Sequence, residues 1–318
     1  MGTSGTIFKT EGSRRPGLTA FEKITFEGMT LKIKKAVIAV AGFGTRFLPA
    51  TKNLPKELMP IVDKPVVQYL VEEAVDSGIE DVILVTRPGS QGIADHFDSS
   101  RELEIHLEEQ KKADLLEAVQ RLPKLANFAV VRQSRHLPYG NGTPLLAARR
   151  FLGNEPFVYM FGDDMVLSDV PCVRQLVELY EKHRPSGVIA AQEVTQEETK
   201  RYGIIKLKPG KSPPEMELLV EKPAPEKAPS RLAQFGRFIL PPRVIELLET
   251  TQLNRGELYL ADALDTLCRE GRVLVHAVEG TWYTMGDPLN FLKATVAYAL
   301  RHREIGKDFA AYLRGLKL

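Results

Sequence analysis

The chain has 318 residues, 43% of them hydrophobic and 26% charged, enough for one large domain with a core of its own. Its 43 basic and 41 acidic residues leave a net charge of +2, a balance that speaks against nucleic acid as a partner. No apolar run approaches the ~20 residues that span a bilayer, so no membrane is expected either.

Residues 1–32 are rich in Gly, Ser, Thr and charge, lack an apolar period, and lack the central region of a signal peptide. They predict a loosely attached leader on a cytoplasmic protein. Cys172 and Cys268 both sit in apolar helical patterns and read as buried reduced thiols.

KAVIAVA (35–41) is a continuous apolar run and predicts a strand buried on both faces. PVVQYLVEEAVDSG (65–78) carries apolar residues at helical spacing and ends at Gly78, a natural C-cap. DVILVT (81–86) predicts a second buried strand. One charged amphipathic segment is expected over 101–122, stopped by Pro123. FAVVRQ (128–133) and PFVYMFGDD (156–164) predict two more strands, with a helix at 143–152 between them. Such alternation builds parallel strands joined by right-handed crossovers, with helices on both faces. Ligands of these sheets bind beyond the carboxyl ends of the strands. That singles out AGFGTR, TRPGS, RQSRHLPYGNG and GDD.

The second half reads differently. GVIAAQEV, GIIKLK, EMELLVEK and AQFGRFIL predict strands joined by hairpins or loops, a mixed-sheet extension suited to a second substrate. Helices are expected at 243–250 and 257–270, then a strand at VLVHAV (273–278), a helix in DPLNFLKATVAYALRHREIG, and a short terminal helix.

The loop after the first strand has Gly42 and Gly44 but Phe47 where a third glycine would complete a dinucleotide fingerprint. It also lacks the Gly-Lys-Ser/Thr ending of a P-loop. Two glycines still let backbone N–H groups approach a phosphate chain, and Arg46 and Lys56 supply cations. On the glycines alone, a tight turn with incidental charges is an equal reading.

The whole stretch AGFGTRFLPATKNLPKELMPIVDKPVVQY closely resembles the opening signature of nucleotidyltransferases that make NDP-sugars, with the bacterial uridylyltransferases nearest. The resemblance covers about residues 34–315. It implies an α/β fold, a Rossmann-like mixed, mainly parallel sheet flanked by helices, with an inserted sugar-binding β-rich region. The domain would run over 33–318: a nucleotide-binding half (33–185), a sugar-phosphate-binding half (186–290) and C-terminal helices (291–318). The implied reaction transfers a uridylyl group from UTP to a hexose-1-phosphate, glucose-1-phosphate first, and releases pyrophosphate. Mg²⁺ is the implied cofactor, and a homodimer or homotetramer the implied assembly.

The same resemblance assigns roles. Ala41, Gly42, Gly44 and Thr45 form the phosphate loop. Arg46 and Lys56 hold the triphosphate and the departing pyrophosphate. Asp163 of FGDDMV is the metal ligand, with Asp164 beside it. Glu221 of VEKP hydrogen-bonds sugar hydroxyls, Lys222 pairs with the sugar phosphate, and Gly203 of RYGII lets backbone pass close to the hexose. Gln133, whose amide donates and accepts at once, suits the imide edge of uracil or thymine, and Gly140 lets the base lie against backbone.

Three segments depart from the uridylyltransferase pattern: Ser90 stands for a lysine, Thr143 and Pro144 fall within GNGTPL, and Thr284 of WYTMGDP stands for an aspartate. Asp287 could take over as a metal ligand. These departures keep two alternatives open: a dTTP- or GTP-using relative, or a weakly active, nucleotide-sugar-binding regulatory homologue.

Overall fold

The computed structural model describes residues 32–254 and 256–317. The expected leader therefore lies, Lys32 apart, outside the described residues. Strand β1 (Lys35–Val40) is buried on both faces, as its unbroken apolar run requires. Three 3₁₀ turns (Thr45–Phe47, Ala50–Lys52, Lys56–Leu58) and a two-residue hairpin, β2 (Pro60–Ile61) with β3 (Lys64–Pro65), carry the chain to α1 (Val66–Asp76). Then follow β4 (Asp81–Thr86), α2 (Gln91–His96), α3 (Arg101–Glu109), α4 (Ala113–Arg121), β5 (Asn127–Arg132), α5 (Thr143–Leu152), β6 (Phe157–Phe161), β7 (Asp164–Leu167) and α6 (Cys172–His183).

The second half contributes β8 (Gly187–Glu193), β9 (Gly203–Leu207), β10 (Met216–Glu221), β11 (Leu232–Leu240), α7 (Arg243–Thr250), α8 (Leu260–Glu270), β12 (Val273–Ala277), β13 (Thr281–Thr284), α9 (Pro288–Arg301) and α10 (Gly306–Gly315). Both cysteines are buried and free, in α6 and α8.

Four strands, in the order β6-β1-β4-β5, are parallel. Alternate residues send their side chains to opposite layers. Val37 and Ile83 join a core with α5, α7 and α8, whereas Ile38 and Leu84 join one with α1 and α6. Helices therefore cover both faces, the mixed, mainly parallel architecture expected.

Strand β11 joins the halves. Its Arg237–Leu240 segment pairs antiparallel with β6, while Ala233 pairs with Ile204 of β9. Its opposite edge pairs with β8, which continues to β12. Because β11 outruns β6 at the carboxyl end of β6, the β9–β10 hairpin is carried beyond the parallel strands. The start of β9, the end of β10 and the start of β11 thus meet where parallel sheets bind their ligands.

Two expectations need correction. The single segment over 101–122 is two helices, α3 and α4, because Lys111 takes a left-handed φ of 57° and breaks the helix between them. The strand expected over 156–164 stops at Phe161. The chain turns at Gly162 and Asp163, and Asp164 opens β7, which pairs antiparallel with β13 instead of joining the main sheet.

One buried ion pair ties these layers together. Arg237 of β11 is fully buried. Its Nε and Nη2 donate to the two carboxylate oxygens of Glu73 on α1, at 2.9 and 2.7 Å. Nη2 also donates to the Asp164 carbonyl and Nη1 to that of Gly236, each at 2.8 Å. Such a fork is geometrically specific, and removing one partner strands a buried charge. Glu73→Ala should therefore cost about 3–5 kcal/mol in urea unfolding. Glu197→Ala, which breaks the exposed Lys200–Glu197 pair, should cost under about 1 kcal/mol. Equal small losses would contradict this account of the core.

Candidate active site

A cleft of about 370 Å³ opens at the carboxyl ends of β1, β5 and β6. Ten of the residues the resemblance assigns to binding or catalysis line it, namely Ala41, Gly42, Arg46, Lys56, Gln133, Gly140, Asp163, Gly203, Glu221 and Lys222, and Pro144, Asp164 and Thr284 join them. Gly44 and Thr45 are not part of the lining. Gly44 instead makes the turn, with φ at 65° and the space of an added Cβ already closed to 3.2–3.3 Å by Thr51 and Lys56. Thr45 opens the 3₁₀ turn that follows.

The floor of the cleft is an ion pair. Lys56 Nζ donates to Asp163 Oδ2 at 2.5 Å. Burial works against the charged amine, but Asp163 and Glu57 outweigh it and hold Lys56 above its usual value. Burial would likewise raise Asp163, yet Lys56 prevails and keeps it ionised below the usual carboxylate range. Arg46 approaches from the side and donates from Nη1 to the Gly286 carbonyl at 3.2 Å. A Cβ on Gly286 would stand 3.1 Å from Arg46 Nη1 and 3.2 Å from Thr284 Oγ1, so these groups converge where a side chain would block them.

The two neighbouring aspartates have different surroundings. Asp164 points inward, accepting from Trp282 Nε1 at 2.7 Å and from Gly236 N–H at 2.9 Å. Burial and the Asp163 charge push its carboxyl upward. Both of its oxygens already have donors, whereas Asp163 lies half-buried against the cleft. Asp287 is also committed. It caps α9 through Asn290 N–H at 3.0 Å and pairs with Arg201 at 2.8 Å.

The departures from the family pattern have local roles. Thr143, fully buried, donates to the Pro138 carbonyl at 2.6 Å and ties down the loop before α5. Ser90 is buried at the N-cap position of α2, where its hydroxyl makes no capping bond. Thr284 lines the cleft and accepts from Gly286 N–H at 3.3 Å. Gly140 has φ at 135°, and a Cβ there would stand 2.2 Å from the Leu258 carbonyl oxygen, so close backbone packing requires glycine.

On the far side, Lys222 holds a left-handed φ of 45°, with its N–H donating to the Tyr202 carbonyl at 3.0 Å. Strain of this kind concentrates at functional sites. Its Nζ stands 3.4 Å from Glu221 and 5.1 Å from the centre of the Tyr259 ring. Trp282 stacks on Phe235 and meets Tyr202 edge-on, forming an aromatic wall. Sequence reading missed Glu57, Arg201, Gln234 and Trp282, which also line the cleft. Arg201 carried a signal: it stands two residues before Gly203, in RYGII.

Parallel strands that end in cations, one open carboxylate and a backbone loop define a class: α/β enzymes that handle nucleotide phosphates. Residues 35–300 match the family described as nucleotidyl transferase, and the chain belongs to that family. It is 47% identical over 290 residues to a UTP–glucose-1-phosphate uridylyltransferase of Staphylococcus epidermidis, covering 90% of this chain and 99% of the relative. A uridylyltransferase of Staphylococcus saprophyticus is 46% identical over 289 residues, with the same coverage. Among solved structures, UTP-bound UGPase from Acinetobacter baumannii matches at a TM-score of 0.82 and 35% identity, over 90% of this chain and 100% of that one. A UDP-glucose pyrophosphorylase complexed with UDP-glucose matches at 0.77 and 35%, over 85% and 100%. Among the described residues no helix is long and apolar enough to cross a membrane.

Glu57 supplies a test of the site's electrostatics. It is 1% exposed, and its Oε2 finds no hydrogen-bond partner. Burial pushes its carboxyl from 4.5 up to about 7, against the pull of Lys56. The fold thus holds this proton more tightly than the unfolded chain does. Its stabilising contribution is complete below pH 4.5 and lost as pH rises through about 7. Glu57→Gln should remove that loss, at most about 3 kcal/mol. Urea unfolding at pH 5 and pH 8 should show a smaller drop for the variant than for the wild type; identical drops would contradict the assignment.

Proposed function

We propose that this chain transfers the uridylyl group of UTP to glucose-1-phosphate, giving UDP-glucose and pyrophosphate. The observation that carries this reading is the Lys56–Asp163 pair in one cleft. Gln133 and Gly140 also line that cleft, as do Gly203, Glu221 and Lys222. A reaction that joins a nucleotide to a sugar phosphate needs both within one enclosure.

A phosphate oxygen of the sugar-1-phosphate attacks the α-phosphorus in line, and the pyrophosphate oxygen leaves with the bonding electrons. This chemistry needs positioning and charge neutralisation and no covalent intermediate. The start of the loop, Ala41 and Gly42, lays backbone against the phosphates. Arg46 and Lys56 hold the triphosphate and stabilise the departing pyrophosphate. Lys222 neutralises the sugar phosphate, Glu221 accepts from sugar hydroxyls, and Gln133 reads the uracil edge with one donor and one acceptor.

The donor set suits Mg²⁺. Among the described residues no group of three His, Cys, Asp or Glu gathers into a cage. Asp163 is a single carboxylate at the cleft, and Asp164 and Asp287 have their oxygens occupied. That fits an ion which takes most of its ligands from phosphate oxygens and water, with Asp163 as the protein's contribution. Such an ion would neutralise phosphate charge when bound.

Pyrophosphate release, measured with the four common NTPs crossed against several sugar-1-phosphates, tests the proposal. UTP with glucose-1-phosphate should give the highest kcat/KM. Asp163→Asn should lower it at least ~10²-fold, the scale of one lost electrostatic element. A preference for dTTP or GTP would reassign the base. Binding of UDP-glucose without turnover by any pair would make the chain a regulatory homologue.

A further inference from the structure

Among the described residues, five buried side-chain atoms lack a hydrogen-bond partner: Glu57 Oε2, Arg87 Nε, Ser90 Oγ, Glu221 Oε2 and Gln234 Oε1. Buried polar groups are normally paired and an orphaned acceptor is costly, so each exception asks for a partner from outside the chain. Three of the five belong to residues that line the cleft, Glu57 beside Lys56 and the other two, Glu221 and Gln234, next to Gly203. The position a Cβ would take on Gly203 lies 3.1 Å from Glu221 Oε2 and 3.1 Å from Gln234 Nε2, so carboxylate and amide flank one point.

Gln234 is 6% exposed, yet it is one of the residues that line the cleft. It stands near the start of β11, the strand that carries the extension beyond β6. Beside it, Phe235 stacks on Trp282 in the aromatic wall. An apolar residue would fill this place without an orphaned oxygen. A glutamine there gains from a ligand that brings a hydroxyl hydrogen.

We propose that Gln234 is a specificity-determining residue for the sugar, its amide oxygen accepting a hydrogen bond from one hydroxyl of the hexose while Glu221 takes another. This rests on the uridylyltransferase reading. Two unpaired acceptors call for two hydroxyl donors. The site therefore selects a hexose hydroxylated at both places over a deoxy or O-alkylated one, which would leave a buried acceptor unpaired. Chain geometry supports the selectivity: Gly203 and Gln234 sit on neighbouring strands of one sheet, so the acceptor is fixed by the scaffold and not by a loop.

Calorimetry on the full chain tests this apart from turnover. The probes are UDP, UDP-glucose and the UDP-glucose analogues lacking the 2-, 3-, 4- or 6-hydroxyl. The wild type should bind UDP-glucose about tenfold more tightly than one particular deoxy analogue, the worth of one neutral hydrogen bond. Gln234→Leu, close in volume, should lose that one preference, keep the preferences for other hydroxyls, and leave UDP affinity unchanged. Thermal unfolding should show the variant no less stable than the wild type, because an orphaned acceptor is gone. Gln234→Glu, which keeps an acceptor, should retain the preference. If Gln234→Leu keeps the full pattern of deoxy preferences, or weakens UDP as much as UDP-glucose, the proposal is wrong. If every preference holds as proposed but no NTP and sugar pair turns over, the catalytic reading fails and the sugar subsite stands.

Discussion

The turn that closes β6 is held by a buried carboxylate that has to find donors. Asp164 finds them on two separate strands, in Gly236 N–H of β11 and Trp282 Nε1 of β13. Arg237, braced by Glu73 on α1, takes the carbonyl of the same residue. With Asp164 committed inward, the residue before it has one side left, and Asp163 meets Lys56 at the cleft. Position and charge of the reactive carboxylate thus follow from hydrogen bonds made behind it. The Met285 N–H, donating to the Asp163 carbonyl at 2.5 Å, fixes the same turn from the other side.

That arrangement explains how one sheet serves two substrates. Strand β11 pairs with β6 along its second half and reaches β9 along its first. The strand that supports the Asp163 turn also presents the sugar side of the cleft. On the proposed reading, nucleotide groups come from loops after parallel strands, Ala41, Gly42 and Gln133 among them, and sugar groups from the ends of antiparallel strands, Gly203 and Glu221. Any shift of β11 would move both the turn and the hairpin, which accounts for a buried ion pair at Arg237 where an apolar side chain would pack at lower cost.

Much of this was legible in the sequence. Apolar runs such as KAVIAV and DVILVT read as buried parallel strands because burial on both faces leaves no polar alternation. The helix over 143–152 was exact to its ends, with Pro144 in its first turn. Ala41, Gly42, Gln133, Asp163 and Lys222 could be named because they follow strands closely, and all five line the cleft. The rest depended on contacts distant in sequence. Nothing local marks Asp164 as the inward member of its pair, since the donors come from positions 236 and 282. The pairing of β7 with β13, the Arg201–Asp287 bridge and the orphaned Gln234 amide arise the same way. The break at Lys111 was missed because its left-handed φ sits in a polar stretch without glycine.

A crystal structure of the chain with UDP-glucose and Mg²⁺ tests the central claim most directly. The diphosphate should lie over Asp163 between Arg46 and Lys222, uracil against Gln133, and the hexose against Gly203, Glu221 and Gln234. A ligand bound with the sugar on the Gln133 side, or with its diphosphate out of reach of Asp163, would contradict it.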